Sequence, residues 1–222
     1  MKNIALYSFV CFTLIGCGGG GNSFSSDVSI IGDNFSIDLT KVSGYRANDS
    51  KEDRFLTVIN YLRSLHIKCN DSEGREGPVG IDLEWNTLLN DAAQEHSDDM
   101  LATGIFSHDG SGKQTDITGQ TSTPSKKSNP FERMNYHGYI YDNAGENIST
   151  RANTESFSDT VWVGAFEGLM KSSTGHCSNI MSPDFRDFAM AESLGMREVS
   201  FNGNVTRMAN VGYWTQNFGT PR

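Results

Sequence analysis

The sequence predicts an α+β domain, on three observations. Between Ser50 and Met170 apolar residues recur at helical spacing. After Pro183 the pattern changes to strand-like runs, Phe185 to Met190 and Val205 to Phe218, with Gly203 in the turn between them. Helices gathered early and strands gathered late imply packed layers rather than alternating βαβ units. The 222 residues suit one such domain, large enough to bury a core, plus a short extension.

The extension comes first. Met1-Lys2-Asn3 precedes an apolar run from Ile4 to Ile15, the pattern of a signal peptide. The run is shorter than the ~20 residues that a permanent spanning helix needs. Leu14-Ile15-Gly16-Cys17 resembles a bacterial lipobox. That resemblance implies that residues 1–16 are removed and that Cys17 carries lipid, with several acyl chains as a stable membrane anchor. Gly18 to Gly21 follow as a flexible run. An ordinary cleaved signal with a chance cysteine is the alternative. No aspartate follows Cys17, which points to the bacterial outer membrane. Residues 17–49 are rich in Gly, Ser, Asn and Asp, broken by the apolar patches Val28 to Ile31 and Phe35 to Leu39. They read as a tether with one segment docked on a domain spanning 50–222.

Within the domain, Ser50 with Asp53 resembles a capping box, and Phe55, Val58, Ile59 and Leu62 form one stripe of a first helix. Asp71 to Gly80 is Gly-rich and polar, a loop. Asn86 is a good N-cap for a second helix. Leu89, Ala92, Ala93, His96 and Met100 share its face, and Gly104 fits its end. His96 on that stripe reads as a hydrogen-bonded core histidine. Asp109 to Asn129 is a long polar loop, of the kind that is often functional or mobile. Pro130 suits the first turn of a short helix. Thr154 to Met170 reads as a third long helix. His66 and His137 lie in segments with no motif and are assigned surface or loop roles.

The formal charge of -9 argues against a nucleic-acid partner. Cys11 lies in the removed segment and Cys17 is taken by lipid. Cys69 and Cys177 remain, and in an oxidising compartment they most simply pair. Closing so long a loop would stabilise the fold by roughly 4–5 kcal/mol on the chain-entropy model. Two separate buried thiols are the alternative.

Four short motifs carry the chemistry: Glu95-His96-Ser97-Asp98-Asp99-Met100, Phe106-Ser107-His108, Gly145-Glu146-Asn147-Ile148, and Gly175-His176-Cys177-Ser178-Asn179-Ile180-Met181. The chain then closes with Gly212-Tyr213-Trp214-Thr215-Gln216-Asn217-Phe218. In this order they resemble the CAP superfamily, the SCP-like extracellular family of cysteine-rich secretory, antigen 5 and pathogenesis-related proteins. The likeness runs from about residue 50 to 222 and is strongest to a bacterial branch. It implies a three-layer α-β-α sandwich with a mostly antiparallel central sheet. It also implies a bond between Cys69 and Cys177.

The resemblance further implies a cleft built from His108, Glu146 and His176, with Tyr213 and Gln216 as further cleft residues. Tyr213 stands where eukaryotic members carry their second histidine, so the eukaryotic tetrad is incomplete. The second eukaryotic acid has no clear counterpart near Ser172. Family members have been found with metal between the cleft histidines, which implies His108 and His176 as ligands for a divalent ion such as zinc. Neutral imidazoles with a carboxylate are suitable ligands, and a Glu–His pair can do acid–base work. No GxSxG or HExxH occurs, and no nucleophile is evident, so the catalytic residues are unknown.

Three functions compete. One is a surface module binding a lipid, a sterol or a cell-envelope component, or a divalent metal. Another is a metal-dependent hydrolase. The third is a structural envelope protein whose cleft residues form a bracing hydrogen-bond network.

Overall fold

The computed structural model describes residues 28–201 and 205–222. The expected signal segment, Cys11, Cys17 and Gly203 lie outside them. In chain order the elements are β1 (Ser29–Ile30), α1 (Lys51–Ser64), β2 (Ile67–Lys68), β3 (Glu84–Trp85), α2 (Thr87–Thr103), α3 (Ile117–Gln120), α4 (Pro130–Tyr136), β4 (Tyr141–Asn153), α5 (Val163–Met170), α6 (His176–Ile180), β5 (Asp187–Phe201) and β6 (Val205–Pro221).

β6 pairs antiparallel with both β4 and β5, and short β3 joins β5 in parallel. The sheet order is β3-β5-β6-β4, so β4 is an edge strand. The sheet is therefore mixed but mostly antiparallel. Alternation along the strands splits the core between its two faces. Phe188, Met190, Trp214 and Phe218 pack with α1, α5 and α6. Ala189, Val211, Tyr213 and Ile148 turn to the other face, over which α2 and α4 lie. This is the α-β-α sandwich that the resemblance implies.

The helix signals act locally. The Ser50 hydroxyl accepts from the Asp53 N–H at 3.1 Å. The Asp53 carboxylate takes the Ser50 hydroxyl rather than its N–H, so only half of the capping box forms. Phe55, Val58, Ile59 and Leu62 are almost wholly buried, each contributing about 1.5–3 kcal/mol of burial. Asn86 caps α2 through the N–H groups of Leu88 and Leu89. Gly104 closes it at φ +71°, a conformation that favours glycine.

Three elements depart from expectation. Helix runs only over Val163–Met170, not from Thr154. The preceding residues are used otherwise: β4 pairs as far as Asn153 with Asn210, and the Trp162 indole N–H closes a turn on the Asp159 carbonyl. β4 itself was not expected, because its central Glu146 and Asn147 are polar residues buried on both faces. Strand β5 also runs well past Met190, to Phe201.

Packing against the domain starts well before residue 50. Ile31 and Val42 are buried, Phe35, Ile37 and Leu39 pack on the same core, and the Ile37 N–H donates to Glu167 at 2.9 Å. The loop 109–129 is held from beneath by three buried carboxylates. Asp99 accepts from the Ser111 N–H and from the hydroxyls of Ser111 and Thr115. Asp116 accepts from the N–H groups of Gly112, Gly119 and Ser128. Glu95 accepts from Thr118 twice, and from the His137 Nε2–H at 2.7 Å. His137 thus takes a loop role, bracing this loop with its side chain 20% exposed. Cys69 and Cys177 are bonded, both buried, across 108 residues of sequence. Among the described residues no helix is long and apolar enough to cross a membrane.

Candidate functional site

Successive side chains on a strand point to opposite faces, and edge strand β4 uses this to hold both sides of a cleft. Glu146 faces the α2 and α4 layer. Its Oε2 takes Arg133 Nη2 at 2.8 Å and its Oε1 takes His108 Nδ1 at 2.9 Å. Asn147 faces the other layer. Its Nδ2 donates to the His176 carbonyl at 3.1 Å and to Gln216 Oε1 at 3.1 Å. Asn179 Nδ2 donates back to Asn147 Oδ1 at 2.8 Å. His108 leaves the end of α2 on a short loop, and His176 opens α6. Their ring centres meet 6.3 Å apart, over a cavity of about 500 Å³ walled by Phe106, Ile148 and Thr174 as well.

Hydrogen bonds and charge constrain both halves of the cleft. Burial pushes the Glu146 carboxyl up, but the Arg133 charge, the His108 hydrogen bond and the nearby His96 outweigh it and leave it below its ordinary value. Glu146 is therefore a carboxylate, and an ionised carboxylate only accepts. His108 Nδ1 is therefore the donor in this bond, and Nε2 is the ring nitrogen left outside it. The side chain of His108 is 47% exposed. Burial, and then the charge of His108, depresses the affinity of His176 for a proton, opposed by Asp71. His108 Nε2 and the ring of His176 both face the cavity.

The other expected site residues lie under this pair. Tyr213 is buried against Met100, Ile148 and Val211, with its ring 6.4 Å from that of Phe106. Gln216 is fully buried behind α6 in the amide network. Neither lines the cavity. His96 is buried, and its Nε2–H donates to the Ser107 carbonyl at 2.8 Å, as a core histidine should. It also stands 3.9 Å from Glu146, so it supports the site.

Sequence reasoning missed two supports. Arg133 is fully buried and ties Glu146, the His108 carbonyl and Ser128 together. A lone arginine in a short helix gave no signal. Asp71 accepts from the Ser178 N–H and hydroxyl, and from the Gly74 N–H. It clamps α6 beside the disulfide. Gly175, at φ +92°, makes the turn that aims His176.

A metal fits this donor set only in part. Imidazole rings 6.3 Å apart, centre to centre, are near enough to share one ion. Glu146, with both oxygens held by Arg133 and His108, is an orienting group rather than a ligand. Among the described residues no cluster of three or more His, Cys, Asp or Glu has metal-holding geometry. An ion here would have two protein donors, His108 and His176, and would take the rest of its shell from water or ligand.

The model of the cysteine-rich secretory protein family, CAP, matches residues 56–218. No curated protein matches the chain. A crystal structure of an extracellular protein containing an SCP domain, from Bacillus anthracis str. Ames, is similar at 22% identity and a TM-score of 0.46, over 76% of this chain and 40% of that one.

Proposed function

This chain belongs to the cysteine-rich secretory protein family, CAP, and from that premise we propose that it is a binding module whose His108–His176 cleft takes up a divalent ion such as zinc. The observation that carries the proposal is the Glu146–His108 bond of 2.9 Å. A carboxylate on one ring nitrogen fixes the tautomer and raises the basicity of the other, as outer partners do at histidine metal sites. Asn147 holds the second ring's backbone at the same time. A bound ion would supply a cationic point for an oxygen-bearing ligand. The chain's own contribution is orientation by Glu146, Arg133 and Asn147, with partial exclusion of water by Phe106 and Ile148.

Calorimetry of zinc, magnesium and calcium binding tests this, wild type against His108→Ala. Zinc binding to wild type that is lost in the variant supports the proposal. Equal zinc binding by both, or none by either, leaves the bracing network as the function of these residues.

A second reading rests on Phe106, which is 47% exposed on the cleft wall beside Ile148. Such a wall suits the apolar part of a lipid, a sterol or another envelope component. Displacement of a fluorescent sterol or lipid by unlabelled ligand, in wild type and Phe106→Ser, checks it. If the probe fails to bind wild type, this reading is lost. The proposal also places the module outside the cytoplasm, lipid-anchored through Cys17 at the outer membrane. Labelled palmitate should enter wild type and not Cys17→Ala, and fractionation should find the labelled protein in outer membranes.

A further inference from the structure

A second cavity, of about 600 Å³, opens in the α1 and α5 layer, away from the His108–His176 cleft. Its walls are the turn before α1, the first turn of α1, residues 157–161 and β5. Lys51 and Arg54 lie on one side, and Asn48, Ser158 and Thr160 supply polar groups around the mouth. The two cations are not equivalent. Lys51 Nζ is paired with Glu192 at 2.6 Å, and the other Glu192 oxygen takes the Trp214 indole N–H at 2.8 Å. Arg54 has no carboxylate within ion-pair distance among the described residues, although the chain carries 27 acidic residues against 18 basic ones.

Arg54 is held from behind instead. Its guanidinium lies over the Trp162 ring, 6.0 Å from the centroid, and that ring also faces Tyr45 at 6.4 Å. Two polar atoms in this wall are shut off from water and have no hydrogen-bond partner, Arg54 Nε and the Tyr45 hydroxyl. Buried polar groups normally have partners, and leaving them without is costly. Among the described residues nothing partners either atom.

We propose that this cavity binds an oxyanion on a hydroxylated small molecule, with the Arg54 fork on the anion and the Tyr45 hydroxyl turning out to meet it. A guanidinium fixed on an aromatic ring is pre-oriented for a carboxylate or a phosphate. Asn48, Ser158 and Thr160 then face the ligand's hydroxyls. Lys51 stays neutralised by Glu192, and although Asp159 also lines the cavity, Arg54 is the cation left to meet an anionic group.

The test is calorimetric titration of the purified full-length protein with glucuronate, with inorganic phosphate, and with glucose as the uncharged control. Saturable binding of an anion, without binding of glucose, is expected. Arg54→Gln should weaken it by about tenfold or more and Tyr45→Phe should weaken it less, with zinc binding at the cleft and the thermal midpoint unchanged. Binding of glucuronate alone assigns a carboxylate ligand, and binding of phosphate alone assigns a phosphate ester. The proposal is overturned if neither anion binds, if glucose binds equally, or if Arg54→Gln binds as wild type does. Should Arg54→Gln fail to fold, Tyr45→Phe decides, and unchanged affinity there overturns it.

Discussion

Glu146 and Asn147 are neighbours on one edge strand, and each holds one of the two cleft histidines from its own face of the sheet. Glu146 fixes the ring of His108 and Asn147 fixes the backbone of His176. The two halves of the cleft are therefore separable by mutation. Glu146→Gln should leave His176 in place and weaken zinc binding by about 10–100-fold, the usual effect of losing an outer partner. Asn147→Ala should instead destabilise the fold by about 1–3 kcal/mol, because the His176 carbonyl and the Gln216 and Asn179 amides lose a buried partner. Calorimetry and denaturant unfolding on both variants measure these effects.

Arg133 should behave as the partner of a buried charge. Both side chains of the Arg133–Glu146 pair are almost wholly buried. Arg133→Met leaves the carboxylate with only histidine neighbours and should cost about 3–5 kcal/mol. Adding Glu146→Gln to that variant removes the stranded charge and should recover part of the loss. Urea unfolding of the four proteins of this cycle gives the coupling; strict additivity would contradict the assignment.

Much of this was legible in the sequence where one residue type answers one local demand. Asn86, Gly104 and Pro130 marked helix ends, and the apolar stripes of α1 and α2 marked the faces that pack. His108, Glu146 and His176 stood in recognisable motifs and do meet. The residues that escaped notice act through partners distant in sequence. Arg133 reaches Glu146 and the His108 carbonyl, and Asp71 reaches Ser178 across 107 positions. β4 escaped because its period is polar: Glu146 and Asn147 are buried by hydrogen bonds, not by hydrophobicity. The Thr154 to Met170 reading failed because an apolar spacing at Val161 and Trp162 came from a turn that packs on α1, with Phe55 edge-on to Trp162 at 5.1 Å.

The disulfide should serve both stability and the site. It joins Cys177, the residue after His176, to the loop that Asp71 anchors. Replacing both cysteines by serine should cost about 2–5 kcal/mol. It should also weaken zinc binding, since α6 then keeps only non-covalent ties, among them Asp71, Asn147 and Arg63. Unfolding and calorimetry on the double variant check both effects.

Stability should fall with acid in a defined order. His96 and His176 are both depressed below 6.5, burial being the first cause in each. The unfolded chain therefore binds protons at pH values where the folded chain does not. Their contribution is complete above about pH 6.5 and is lost as pH falls toward the folded values. Glu146, depressed below 4.5, adds a second loss at lower pH. Denaturant unfolding from neutral pH downward should show the first decline, and His176→Ala should flatten it; an unchanged slope in that variant would contradict the assignment.

The claim that His108 and His176 form one binding site is tested most directly by anomalous diffraction at the zinc edge, from crystals grown with zinc. The account predicts one strong peak about 2.0–2.1 Å from a ring nitrogen of each histidine. A peak bound to only one of them, or none in the cleft, would contradict it.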